Sequence, residues 1–281
     1  MNEHNLGAHP LIVVDVGCRW GFAEHLLNGE HAHNFRIYGF DPDADECQRL
    51  QKIYEHFPQG GVQCIPLALG GKEGRRDLFV TKEPACSSLH TPIEFLSKNY
   101  PALDCIKKER VCPVKVVTLK SWADSEVIDR IDYIKVDTQG SELEILRGAG
   151  DILNTTRCID IEVEFNPIYE GQALFCDVDM FLRSKGFRLW RLSNLVHYSL
   201  GGTAIPLGGS NAFCYDTHHR YEVPVHGGQL FWADARYIHN DVIECDNQTE
   251  GAIARDKLLF DALGMLDILE HIERVRSRRV A

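Results

Sequence analysis

Residues 13–21, Val13-Val14-Asp15-Val16-Gly17-Cys18-Arg19-Trp20-Gly21, constrain the fold more than any other stretch of the chain. A β-branched run ends in an acid and two glycines, just before a segment able to start a helix. A parallel strand hands over to a nucleotide-binding turn in this way. Gly17 admits close approach of a ligand to the backbone, and Gly21 relieves crowding at the helix start. About twenty residues on, Ile37-Tyr38-Gly39-Phe40-Asp41 again sets an acid at the end of a short apolar strand. An acid there is placed to accept both hydroxyls of a ribose, so the two segments together imply a cofactor containing adenosine.

Strand and helix signals alternate through the first two hundred residues, with strands at 11–16, 36–40 and 62–67 and helices at 22–28 and 43–56. This order predicts an α/β fold, a mostly parallel sheet with helices on both faces. Segments 77–81 and 111–119 are β-branched without a helical period and flank Ser87-Ser88-Leu89-His90. They read as a β-rich insertion over about 71–120 that borders the site. Alternation resumes with strand 131–136, helix 141–146, strand 158–165, helix 178–184 and strand 186–190. Beyond Gly201 comes a glycine-rich loop at 207–210 and a last strand expected at 211–215. Apolar residues from Leu258 to Ile272 recur at three and four, predicting one amphipathic helix over 254–275. The main domain is expected to cover 1–216, followed by a mostly helical extension over 217–281 that packs on the domain or on a second copy of the chain. Tyr215, His218, His219, His226, Trp232 and Tyr237 read as a small core beneath that helix, with stacking on an acceptor as the alternative.

Composition narrows the functional classes. A net charge of −11 over 281 residues repels phosphate backbones, so a nucleic-acid partner is not expected. The dense basic run at 274–279 reads as a solvated helix end. No apolar run reaches the roughly 18–20 residues that span a bilayer, and residues 1–10 lack the apolar core of a secretory signal. A cytoplasmic location without a membrane partner is the expectation. Ten cysteines lie scattered without C-x-x-C spacing and read as free thiols and small core residues. His31-x-His33 and His218-His219 read as solvated loop histidines.

In an open parallel sheet, ligands sit at the carboxyl ends of the strands. Four such ends converge: residues 15–21, Asp41-Pro42, Ala68-Leu69-Gly70, and Lys135-Val136-Asp137-Thr138-Gln139-Gly140-Ser141-Glu142. Ala68 and Leu69 offer a small apolar surface suited to adenine, Gly140 a tight turn, and Ser141 a helix cap.

These residues resemble a known family. Asp15-Val16-Gly17 with Gly21, Phe40-Asp41-Pro42, Ala68-Leu69, Ser87-Ser88-Leu89, and the block from Lys135-Val136-Asp137 through Gly140, Glu142-Leu143 and Leu146 to Gly148-Ala149 are similar to FkbM-type methyltransferases. The resemblance runs from about residue 11 to 192. It implies a Rossmann-like class I methyltransferase fold and S-adenosylmethionine-dependent methyl transfer, mostly to hydroxyl oxygens of sugars and natural products. The implied acceptor is a small molecule or glycan. Cofactor contacts fall on Gly17, Asp41, Ala68, Leu69 and Asp137, with Asp15 and Gly21 in the same first turn. Two departures stand out. Cys18, Arg19 and Trp20 make that turn bulky, and Gln139 stands where an acid is usual and cannot act as a base.

An aliphatic hydroxyl is a poor nucleophile and needs a base within hydrogen-bond reach. Asp137, Glu142 and Glu164 are the expected catalytic carboxylates, with Glu162 and His90 as further candidates. Asp160, Glu162 and Glu164 alternate and so share one face of a regular strand; Asp160 reads as a helix or loop contact. Asp137, Glu164 and Asn166 carry oxygens of the kind Mg²⁺ accepts, but the resemblance requires no metal and none is expected. Two other classes compete. A nicotinamide-dependent oxidoreductase would use Asp41 in the same way, but the first turn lacks the G-x-G-x-x-G spacing. A cofactor-binding protein without turnover would account for Gln139.

Overall fold

The computed structural model describes residues 10–27, 31–57, 61–202, 213–216, 221–224, 228–244 and 248–280. Strand β1 (Leu11–Val16) leads to a short helix α1 (Glu24–Leu27), and β2 (Phe35–Phe40) to α2 (Ala44–Ile53) and β3 (Val62–Ile65). Strands β4 (Ala68–Leu69), β5 (Gly74–Thr81) and β6 (Lys108–Val117) follow, with α3 (Glu94–Asn99) between the last two. Helix α4 (Leu119–Ser125) returns the chain to β7 (Tyr133–Val136), α5 (Glu142–Gly148), β8 (Cys158–Glu164) and α6 (Phe175–Ser184). Next come β9 (Phe187–Tyr198), β10 (Phe213–Asp216), β11 (Tyr221–Pro224) and β12 (Gln229–His239). Helices α7 (Asn240–Glu244), α8 (Glu250–Ala262) and α9 (Leu266–Val280) come last.

Seven strands form one sheet in the order β3-β2-β1-β7-β8-β12-β9. The first five are parallel, and β12 runs antiparallel to both its neighbours. The chain moves outward from β1 to β3, then crosses back to β7 on the other side of β1. That reversal opens a crevice at the carboxyl ends of β1 and β7. The central strands are apolar on both faces because both are covered. Val14, Val16, Ile134 and Val136 pack with Trp122, Leu143 and Leu146 on one side. Leu11, Val13 and Tyr133 pack with Leu50, Leu259, Phe260 and Ile268 on the other.

Several expectations change. The C-terminal helices cover this chain's own sheet, since Leu258, Leu259, Ile268 and Ile272 join the cluster around Leu11 and Val13. The single helix expected over 254–275 is two helices, broken where Gly264 takes φ +66° and the Met265 amide donates to Phe260 O. A glycine just past a helix end adopts this left-handed conformation at little cost. The boundary expected at 216 would cut the sheet, because β12 is hydrogen-bonded between β8 and β9; the helical part begins at Asn240. The strand expected at 211–215 pairs only with β11, in a separate hairpin. Trp232 and Tyr237 lie on β12, Tyr237 fully buried in the main core. His218, His219, His226 and the loop at 207–210 lie outside the described residues. His31, expected in solvent, is buried and sits 2.7 Å from an Asp261 carboxylate oxygen. Cys18, Cys47, Cys64, Cys86, Cys105, Cys112, Cys158 and Cys176 are free thiols. Among the described residues no helix is long and apolar enough to cross a membrane.

The insertion is a ribbon. β5 and β6 pair antiparallel, and β4 adds a short parallel strand to β6. This second sheet stands over the crevice and forms part of the candidate site.

Candidate active site

The crevice begins at Gly17. Its amide donates to Phe40 O at 2.9 Å, and the Asp137 amide donates to Val16 O at 2.9 Å, so the ends of β1, β2 and β7 are stitched together. Gly17 has φ +86°, and a Cβ there would lie 1.8 Å from the Asp137 carbonyl oxygen. Only glycine fits. Arg19 lies on the wall of the crevice and donates to Asp43 at 2.7 Å, with its Nε 3.6 Å from an Asp41 oxygen. Trp20 stands at the rim, 77% exposed.

A cavity of about 480 Å³ opens here. Gly17, Asp41, Ala68, Leu69 and Asp137 line it, as do Gln139 and Glu162. Asp15, Gly21, Glu142 and Glu164 do not. Asp15 is buried, with its Oδ1 3.6 Å from Lys135 Nζ. A Cβ on Gly21 would meet the Tyr54 hydroxyl at 2.3 Å, so this glycine makes room for a side chain. Glu142 folds back at the start of α5 and accepts from the amides of Thr138 and Gly140 at 2.9 Å each and from Thr138 Oγ1 at 3.0 Å. His90 lies off the wall, with its Nε2 3.1 Å from Glu144.

Asp41 presents a carboxylate at the end of β2. One oxygen accepts from the Asp43 amide at 2.8 Å. Burial pushes the carboxyl above its ordinary pKa, partly offset by that amide and by Arg19. Beside it, Asp43 caps α2 by accepting from the amides of Asp45 and Glu46.

The chemistry concentrates around Gln139. Its Nε2 donates to Asp137 Oδ1 at 3.1 Å and to Glu162 Oε2 at 2.7 Å, bridging two acids on the cavity wall. The Tyr169 hydroxyl donates to Cys86 O at 2.7 Å and lies 3.2 Å from Gln139 Oε1. Ser88 Oγ donates to the Gln139 carbonyl at 2.6 Å. These contacts hold Gln139 at φ +60°, a conformation costing a non-glycine residue about 1–2 kcal/mol. Lys135 lies between Asp15 and Asp137, 3.6 Å from each. Burial works against its charge, but the two acids outweigh it and raise its pKa.

Asp160, Glu162 and Glu164 occupy alternate positions on β8 and meet different fates. Arg236 binds Asp160 through two hydrogen bonds of 2.6 and 2.5 Å. Burial, then the charge of Asp137, pushes Glu162 well above the usual carboxylate range. Glu164 is 2% exposed, and burial followed by Glu142 raises its pKa strongly too. A carboxyl whose pKa rises on folding adds stability below its unfolded value, near 4.5, and loses it as pH climbs through the folded value. Glu164→Gln is therefore expected to reduce the fall in unfolding free energy between pH 5 and pH 9. Urea denaturation across that range checks it; an unchanged slope would show that Glu164 is not held protonated.

The oxygen set considered for Mg²⁺ does not converge: Asn166 donates its amide to Leu230 O at 2.7 Å, and Glu164 is off the cavity wall. Among the described residues no group of three or more His, Cys, Asp or Glu side chains is placed to hold a metal ion.

The chain is similar to the 2-O-methyltransferase NoeI of Sinorhizobium fredii, 24% identical over 57% of this chain and 66% of that protein, just under two thirds of its length. It is equally similar, at 24% identity, to Methyltransferase 1 of Beauveria bassiana, over 62% of this chain and 71% of the relative. Among solved structures, the magnesium protoporphyrin IX methyltransferase ChlM from Synechocystis PCC 6803, with bound SAM, aligns over 82% of this chain and 70% of its own at 12% identity and a TM-score of 0.34. The strand order, with one antiparallel strand inserted beside the last parallel one, is that of the Rossmann-like class I methyltransferase fold. The model of the methyltransferase FkbM domain matches residues 6–189, and the chain belongs to that family.

Proposed function

We propose that this chain transfers the methyl group of S-adenosylmethionine to a hydroxyl oxygen of a sugar or small natural product. The observation that carries the reading is the pairing of Asp137 with Glu162 on the wall of one cavity, bridged by Gln139, next to the Gly17 turn. The residues fit a group containing adenosine. Gly17 brings bare backbone to the cavity wall at the end of β1, Asp41 offers a buried carboxylate for ribose hydroxyls, and Ala68 and Leu69 give a small apolar wall. When bound, the cosubstrate supplies an electrophilic sulfonium methyl. The name of NoeI supports oxygen as the acceptor atom.

The protein's part is alignment, exclusion of water and removal of one proton. Asp137 takes the acceptor's proton, with Lys135 balancing its charge from 3.6 Å. Glu162 keeps its own proton, because burial and the charge of Asp137 both disfavour its anion. Gln139 fixes the two acids relative to each other through one amide nitrogen. The ribbon β5–β6 closes the space above them and limits competing attack by water.

Product analysis tests this reading. With carbon-13 in the transferable methyl and a mixed pool of glycans and hydroxylated small molecules, the label is expected in a methyl ether. Label on nitrogen, carbon or sulfur, or no consumption of S-adenosylmethionine, would overturn it.

A further inference from the structure

The ribbon supplies the cavity wall that does not come from the main sheet. Alternate residues of its two strands face inward: Leu78 and Val80 on β5, and Arg110, Cys112 and Val114 on β6. Leu78 stands opposite Cys112 and Val80 opposite Arg110 in the register. This wall is apolar apart from one guanidinium. Two cationic side chains line the cavity, Arg19 and Arg110. Arg19 is engaged by Asp41 and Asp43. Arg110 is exposed and makes no ion pair or side-chain hydrogen bond among the described residues. Residues 72–83 and 107–115 together carry eight lysines and arginines against four acids, in a chain whose net charge is −11. A net basic ribbon on an acidic protein draws anions toward that side of the molecule, and a guanidinium without a partner matches carboxylate or phosphate through paired hydrogen bonds.

Resting on the methyl-transfer reading, we infer that the acceptor is anionic, with a carboxylate or phosphate held by Arg110 and its body against Leu78 and Val80. The other walls carry Asp41, Asp43, Asp137 and Glu162, all carboxylic acids. An anionic group has one favourable direction in such a cavity, toward the ribbon. That fixes which end of the acceptor faces Asp137, so Arg110 selects both the substrate and the hydroxyl to be methylated.

Isothermal titration with phenyl glucuronide, glucose 6-phosphate and the neutral phenyl glucoside tests this, with and without saturating S-adenosylhomocysteine. At least one anionic probe is expected to bind about tenfold or more tighter than the neutral one, with affinity falling as salt rises. The two anionic probes separate carboxylate from phosphate. Arg110→Gln is expected to abolish the preference and Arg110→Lys to keep part of it, while S-adenosylhomocysteine affinity stays unchanged in both. Neutral binding equal to or tighter than both anions, no anionic binding, or an unchanged preference in Arg110→Gln overturns the proposal. Failure of the wild type to bind S-adenosylhomocysteine strikes the methyl-transfer reading instead, and an anion preference lost in Arg110→Gln would survive that result.

Discussion

Asp137→Asn is expected to lower turnover by about 10²-fold or more, the scale of a general base's contribution, equivalent to roughly 2.7 kcal/mol of barrier. The substitution keeps the size of the side chain and an oxygen able to accept from Gln139 Nε2, now at 3.1 Å. It removes the charge that faces Lys135 at 3.6 Å and the group that takes the acceptor's proton. It also relieves Glu162, whose pKa the Asp137 charge raises after burial. With that charge gone Glu162 ionises more readily, so residual activity is expected to appear at a pH set by Glu162. Turnover and S-adenosylhomocysteine affinity measured together separate the roles, because loss of a base lowers turnover with little change in affinity. A fully active variant would move the base to another residue.

Gly17→Ala is expected to have the largest effect on folding. The residue has φ +86°, which costs alanine about 1–2 kcal/mol by itself. Its Cβ would also lie 1.8 Å from Asp137 O and 2.9 Å from Asp137 C, both backbone atoms that no rotamer change can move aside. β1 and β7 would have to part, breaking the 2.9 Å bond from the Asp137 amide to Val16 O. A destabilisation on the order of 3–5 kcal/mol follows, among the larger single-residue effects, and the crevice would lose its shape with it. Thermal unfolding, followed by titration of S-adenosylhomocysteine into any folded fraction, checks this. A variant with wild-type Tm and affinity would show that the strand ends are not coupled as described.

The sequence made the strand ends legible because short apolar runs closing on an acid or glycine have few alternatives in an α/β chain. Asp41 and Asp137 stand on the cavity wall for that reason. Choosing among the acids of β8 was beyond it. Period-two alternation assigns Asp160, Glu162 and Glu164 to one face, but their partners come from distant segments: Arg236 for Asp160, Gln139 for Glu162, and Glu142 and Gln172 near Glu164. Glu142 looked free because nothing in the sequence shows a helix-start acid folding back onto the amides before it. Gln139, which cannot be a base, still organises the site, a role carried by its φ of +60° and its amide. Two further features are visible in the sequence itself. Phe231, Ala233, Ala235 and Tyr237 alternate as a buried strand face, and Gly264 interrupts the tail helix where a left-handed cap belongs.

In the proposed function, Asp41 holds the ribose of an S-adenosyl cosubstrate at the end of β2. Calorimetric titration of S-adenosylhomocysteine and of NAD⁺ into the wild type and Asp41→Ala tests that most directly. Saturable binding of S-adenosylhomocysteine to the wild type is expected, with none for NAD⁺. In Asp41→Ala, loss of one charge-assisted hydrogen bond costs about 1.5–3 kcal/mol, hence tenfold or more in affinity. Binding of NAD⁺ alone, or equal affinity of wild type and variant for S-adenosylhomocysteine, would contradict it.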